Sequence, residues 1–253
     1  MNKKAEELGL ENTHFITPHG LDDKEHYTTA YELALLTDYA LENEKFSQIV
    51  NTKTKTILIN GRQQELYNTN ELLGNLNGIN GVKTGFTNNA GRCLVCSCVR
   101  DNMNVISVVL GADTKKFRSK DSIEIIEYVY ENYEQINLKE KINLAFEQWK
   151  QTYNPSIIKG EKQCFRIDLE EAPCEIYTIK KGTEDSIKIN VNVEEVFEAP
   201  IKEETIIGKV NVNINGIEIY ELNIYCLENI NKKSVWTYFT EIIKQIKITS
   251  TFP

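Results

Sequence analysis

Three apolar runs, Gly81–Phe86, Arg92–Arg100 and Asn104–Gly111, succeed one another with only Asn88–Gly91 and Asp101-Asn102 as punctuation. Turn chemistry this brief joins antiparallel neighbours, so the runs predict a three-stranded meander. Upstream, Thr54–Ile59 and Gln64–Tyr67 flank Asn60-Gly61, a strong short hairpin signal. Thr29 followed by Glu32 forms a capping box that opens a helix over Ala30–Leu41. That helix is expected to bury Leu33, Ala34, Leu36, Thr37, Ala40 and Leu41. Ser119–Tyr133 carries Ile123, Ile126, Tyr130 and Tyr133 along one stripe and predicts another helix.

From about Glu134 the character changes. Asn137–Tyr153 has mixed propensity, and Pro155 and Gly160 punctuate the chain beyond it. Short β-rich pieces then succeed one another: Cys164–Leu169, Cys174–Ile179, Ser186–Val193, Thr205–Ile214 and Ile217–Cys226, with a second hairpin signal at Asn215-Gly216. This spacing predicts a small β-sandwich or barrel-like domain, a spacer or binding module by default. Last, Ser234–Ile248 places Val235, Trp236, Phe239, Ile242, Ile243 and Ile246 on one helical face and polar residues on the other. Such a helix suits either a membrane interface or docking on the β-domain. The fold expected is α/β, an antiparallel sheet with flanking helices over 1–150, then a small all-β domain over 151–229 and an amphipathic helix over 230–253.

With 41% hydrophobic and 26% charged residues, the 253-residue chain can bury a sizeable core. Its net charge of −8 argues against nucleic acid, which requires a basic footprint. No apolar stretch reaches the ~18 residues that read as a spanning helix. Met1–Glu7 lacks the apolar core of a signal peptide; it resembles the end of an amphipathic helix, with Ala5 and Leu8 as its apolar positions. Cys93-Leu94-Val95-Cys96 has redox or zinc spacing, but it sits in an apolar run where Cys96 and Cys98 share one face and Cys93 takes the other. Small buried thiols are the better reading, and neither a metal nor another cofactor is expected.

The chemically informative stretch is Gly78–Thr87, with Lys83-Thr84-Gly85 on a predicted strand that opens the meander. A strand edge can pair with an extended peptide, and Gly85 lacks a side chain that would obstruct it. Lys83 brings positive charge and Thr84 a hydroxyl, both suited to a ligand with a free carboxylate.

In context the match becomes specific. Asn12–Phe15, Pro18–Asp22, Asn68–Leu73, Val82–Phe86 and Ala90–Arg92 resemble, in order and spacing, the low-molecular-mass D-alanyl-D-alanine carboxypeptidases of the penicillin-binding-protein-5 type. The resemblance runs from Met1 to about Tyr133 and, more loosely, over the β-domain and terminal helix. It implies a β-lactamase/transpeptidase-like catalytic domain and a serine hydrolase. Such an enzyme removes the terminal D-alanine from peptidoglycan pentapeptide, is acylated by β-lactams, and works outside the membrane that anchors it.

By the same resemblance Lys83 and Thr84 bind the substrate carboxylate, Gly85 belongs to that motif, and the backbone N–H of Phe86 is one oxyanion-hole donor. Arg118 helps to orient the carboxylate. His19 is expected to satisfy backbone groups of its loop, and Asn70 to stabilise its turn. The family nucleophile lies in S-x-x-K before the K-T-G, with S-x-N between them. Here the S-x-x-K match is Ser156–Lys159, after the K-T-G, and S-x-N does not occur. The sequence is therefore expected to begin downstream of the nucleophile and to be inactive as given. Two other readings stand beside this one: a non-catalytic protein that binds wall peptides, and a β-lactamase, which shares K-T-G but not the trailing β-domain.

Overall fold

Side chains of Thr and Asn start four of the helices, each accepting a backbone N–H that the first helical turn leaves unpaired. In the computed structural model, which describes residues 1–249 (the side chains of Glu241 and of residues 244–249 excepted), these caps are Thr29, Asn43, Thr114 and Asn137. The chain divides into two compact units, Met1–Tyr133 and a second that begins at Glu134.

In the first unit, α1 (Asn2–Glu7) leads through a loop to α2 (Ala30–Leu41) and α3 (Glu44–Val50). A hairpin of β1 (Thr54–Ile59) and β2 (Arg62–Tyr67) comes next, turning at Asn60 and Gly61 with φ of 50° and 79°. Both values lie in the left-handed region that Asn and Gly tolerate. The meander is present as β3 (Ile79–Thr87), β4 (Gly91–Arg100) and β5 (Met103–Ala112), antiparallel and in that order. Helix α4 (Lys115–Asn132) packs on β4 and β5. Leu72, Leu73, Ile79, Leu94, Cys96, Cys98 and Ile126 form the core between them, and Ile123 and Tyr130 of the expected stripe pack against it. Burial pushes the Cys96 thiol up to about 12, the behaviour of a small hydrophobe rather than a reactive group.

Some expectations need correction. Of the positions expected to be buried in α2 only Thr37 is; Leu33, Ala34, Leu36, Ala40 and Leu41 are half-buried, and the charged Glu32 is buried as well. The capping box is also only half made. Thr29 Oγ1 accepts from Glu32 N at 3.2 Å, but the Glu32 carboxylate turns away, to Asn12 N (2.8 and 3.1 Å), Asn12 Nδ2 (3.2 Å) and Thr13 Oγ1 (2.5 Å). It thus anchors the loop between α1 and α2. Helix α3 has no counterpart among the sequence expectations, and α4 begins four residues before the expected Ser119.

In the second unit, β6 (Tyr133–Asn137) pairs with β9 (Ile176–Lys180), and the stretch of mixed propensity is a helix, α5 (Leu138–Thr152). Leu138, Ile142 and Phe146 recur every fourth residue and are buried in the core of this unit. Two three-residue strands, β7 (Ser156–Ile158) and β11 (Val196–Glu198), pair in parallel. The main sheet has the order β10-β12-β13-β8, from β8 (Ile167–Leu169), β10 (Ile187–Val193), β12 (Ile206–Ile214) and β13 (Ile217–Cys226). Asn215 and Gly216 turn the β12–β13 hairpin with φ of 54° and 80°. Helix α6 (Val235–Thr249) closes the described chain, with Val235, Trp236, Phe239, Ile242 and Ile243 exposed. Ile246 of the expected apolar face falls outside the described side chains. No helix among the described residues is long and apolar enough to cross a membrane.

Candidate functional site

Strand β3 lies at one end of its sheet, and among the described residues it pairs only with β4. Its Lys83-Thr84-Gly85 stretch is therefore on a free edge. Lys83 is exposed and its Nζ donates to the carbonyl of Thr84 at 2.6 Å. A Cβ added to Gly85 would meet only Cys93 Cβ, at an ordinary 3.5 Å. The fold itself therefore has room for a side chain there. Phe86 is exposed, with the guanidinium of Arg92 stacked 3.5 Å from its ring centroid. Beside Lys83 and Thr84 runs an apolar groove of about 500 Å³, walled by Leu33, Leu36, Phe46, Val50, Val82 and Leu110 among others.

A second segment, Asn68–Leu73, is strapped to this strand. Asn68 Nδ2 donates to the carbonyls of Val50 (3.1 Å) and Thr52 (3.2 Å), and Asn68 Oδ1 accepts from Asn70 N (2.9 Å). Asn70 is buried; its Nδ2 donates to Gly81 O at 2.8 Å and its Oδ1 accepts from Leu72 N at 3.1 Å. It stabilises its turn as expected and also fixes that turn against β3. Thr69 Oγ1 lies 2.6 Å from Thr84 Oγ1.

Glu71, two residues along, reaches Arg118. The Arg118 Nη2 atom donates to Glu71 Oε1 (2.8 Å) and Oε2 (2.6 Å), and Nη1 reaches Cys93 O at 3.4 Å. The Arg118 Nε atom is buried and makes no hydrogen bond. The Glu71 carboxylate also accepts from the Ser119 hydroxyl. Burial pulls the Glu71 pKa up, but hydrogen bonds from Ser119, its own backbone and Arg118, with the charge of Arg118, hold it below the usual carboxylate range.

Lys83, Thr84, Gly85 and Phe86 thus share one edge strand, while Arg118 is buried in α4 with its charge on Glu71. The two sets are linked through the strap, by Thr69 to Thr84 and by Glu71 to Arg118. Sequence reasoning singles out neither Thr69 nor Glu71. Both lie in a stretch of bend and turn rather than in a strand or helix, so no periodicity marks them.

His19 Nδ1 accepts from Leu21 N at 3.2 Å, serving its own turn. Ser156 begins β7 in the second unit, and Lys159 Nζ is 2.7 Å from Glu198 Oε1. That lysine is committed to a carboxylate rather than to a serine.

Both units are similar to known proteins. Residues 1–114 match the family model described as D-alanyl-D-alanine carboxypeptidase, and residues 158–232 match the penicillin-binding protein 5 C-terminal domain. The chain is 30% identical to the D-alanyl-D-alanine carboxypeptidase DacF of Bacillus subtilis, over 94% of this chain and 59% of the relative. It is 29% identical to DacA of Escherichia coli K12, over 98% of this chain and 58% of the relative. Penicillin binding protein 5 from Haemophilus influenzae superposes with a TM-score of 0.63 at 28% identity, covering 91% of this chain and 64% of that structure. The chain spans about three fifths of the length of these relatives.

Proposed function

Since the chain belongs to the low-molecular-mass penicillin-binding-protein family, we propose that its first unit supplies the substrate-holding strand of a serine-type D-alanyl-D-alanine carboxypeptidase of the cell wall. The observation that carries this is the Lys83-Thr84-Gly85 motif on the free edge of β3, beside an apolar groove. An extended peptide adds to such an edge through backbone hydrogen bonds, and its side chains find the groove. Lys83 supplies an exposed ammonium and Thr84 a hydroxyl that Thr69 orients, and together they take the terminal carboxylate of D-Ala-D-Ala. Gly85 leaves the approach clear, and the Phe86 N–H serves as an oxyanion-hole donor. Arg118, its charge paired with Glu71, braces the strap. β-Lactams, which carry a carboxylate of their own, take the same edge.

The second unit is read as the family's C-terminal domain, and α6 as its attachment to the outer face of a membrane. The support for that attachment is the row of exposed apolar side chains, Val235, Trp236, Phe239, Ile242 and Ile243, which stand apart from the buried core of the unit.

The test of the site is binding of a D-Ala-D-Ala peptide with a free carboxylate against its C-terminal amide. The acid is expected to bind the chain and to lose most of its affinity in Lys83→Ala. Equal binding of acid and amide, untouched by Lys83→Ala, would overturn the reading.

A further inference from the structure

We infer that Glu71 is an internal carboxylate that occupies, on Arg118, the place of an external one, and so sets how strongly this site selects peptides with a free carboxylate end. The inference rests on the carboxypeptidase reading of the edge strand. Arg118 is only 3% exposed, whereas the Glu71 side chain is 40% exposed. Glu71 is thus the solvent-facing member of the pair, and an anion replacing it would meet the same guanidinium.

The pairing also leaves capacity unused. A guanidinium holds a carboxylate best through two parallel N–H donors on one edge. Here both Glu71 oxygens share the single nitrogen Nη2, while Nε is buried without an acceptor and Nη1 reaches only a 3.4 Å contact. A buried donor left unpaired is costly, so a better-placed carboxylate has something to gain by displacing Glu71.

The surroundings favour anions. A concavity of about 580 Å³ over Glu71 is lined by Lys115, Lys116, Ser119, Lys120, Ile123 and Glu124, and since Glu124 pairs with Lys120 at 3.5 Å, Lys115 and Lys116 supply its unmatched positive charge. The link to the edge strand is short, because Thr69, which holds the Thr84 hydroxyl, is two residues from Glu71.

Two measurements on the full chain test this, using Glu71→Gln, Glu71→Ala and Lys83→Ala. The first needs no peptide. Sodium acetate, compared with chloride at equal ionic strength, should raise the melting temperature of Glu71→Ala and shift the Arg118 guanidinium NMR signals of Glu71→Gln. Neither effect is expected in the parent chain, where the Glu71 carboxylate already holds the guanidinium; Ala empties that place and Gln removes its competing charge. Absence of both effects in both variants overturns the inference, even if Lys83→Ala abolishes peptide binding and the carboxypeptidase reading stands.

The second uses the D-Ala-D-Ala peptide. Glu71→Gln should bind the free acid about tenfold more tightly than the parent chain and the C-terminal amide equally well. Weaker binding of the acid, or the same change for acid and amide, makes Glu71 a structural brace and overturns the selectivity role. Should acetate act as expected while no variant binds the peptide, Glu71 stands as the internal anion of Arg118, and the peptide-selecting role falls together with the carboxypeptidase reading.

Discussion

The hydroxyl of Thr69 lies 2.6 Å from that of Thr84, the central residue of the edge motif. Each hydroxyl has one proton to give and can accept others. When Thr69 donates inward, the Thr84 proton is free for a ligand carboxylate. Replacing Thr69 with Val removes that arrangement, and a typical net hydrogen bond is worth about 0.5–1.5 kcal/mol. Peptide affinity should fall about two- to tenfold in Thr69→Val and change less than about twofold in Thr69→Ser, by calorimetry. Loss in Thr69→Ser with none in Thr69→Val would show that the methyl, not the hydroxyl, matters.

Glu32 gives a prediction about pH. Burial raises its pKa, but the hydrogen bonds from Thr13 and Asn12 more than offset this and hold it below the ordinary carboxylate value. A depressed folded-state pKa contributes stability that is complete above the unfolded pKa and disappears as pH falls through the folded one. Glu32→Gln should therefore lower the melting temperature at neutral pH and flatten its decline in acid. The loop from Asn12 to Thr28 should become sensitive to protease as its anchor weakens. A variant with the parent's acid profile would show that the carboxylate charge contributes nothing.

Legibility tracks sequence distance. The hairpins at Asn60-Gly61 and Asn215-Gly216 and the meander are readable because each is settled by a few adjacent residues. Glu32 reads as half of a capping box, a local pattern, while its carboxylate is claimed by Asn12 and Thr13, 20 and 19 residues away. Nothing near Arg118 in the sequence tells where its charge goes, because the residue that decides it, Glu71, lies 47 positions earlier. The strands β7 and β11 are three residues each and pair in parallel across the unit, too short to show alternation. Helix α5 is different: Leu138, Ile142 and Phe146 carry the helical spacing, and Lys139, Glu140, Leu144 and Ala145 between them are good helix formers, so this helix is legible locally.

That helix supports a direct test. Phe146 is buried against the β-rich core and stacks on Trp149, centroids 5.8 Å apart. Phe146→Ala should cost about 3–5 kcal/mol, as large-to-small changes in closed cores do. A segment starting at Pro155 should fail to melt cooperatively, while one starting at Glu134 should do so. If the shorter segment melts as sharply, α5 is an accessory to this unit rather than part of its core.

Acylation chemistry makes a separate demand. A serine nucleophile needs a base within hydrogen-bond reach, and Lys159, the partner that the S-x-x-K spacing would give Ser156, is paired with Glu198. The 253-residue chain should therefore gain no mass on incubation with a fluorescent penicillin, in the parent form or in Ser156→Ala. Stoichiometric labelling of the parent, lost in Ser156→Ala, would make Ser156 the nucleophile.

The membrane reading of α6 turns on side chains that face water in the isolated chain. Trp236 and Phe239 meet edge to face at 6.0 Å, and Val235, Ile242 and Ile243 add to the same exposed apolar surface. An interfacial helix binds through buried apolar area plus attraction to anionic lipid, so both contributions fall when Phe239 and Ile243 become Glu. The double variant should no longer sediment with vesicles containing anionic lipid. Thr237→Glu adds charge on the opposite side of the helix, near its start, where the helix dipole favours an acid, and should retain most of the binding. Melting temperature separates the alternatives. If the helix instead docks on the β-rich unit, Phe239→Glu with Ile243→Glu will destabilise that unit and leave vesicle binding at the parent's level.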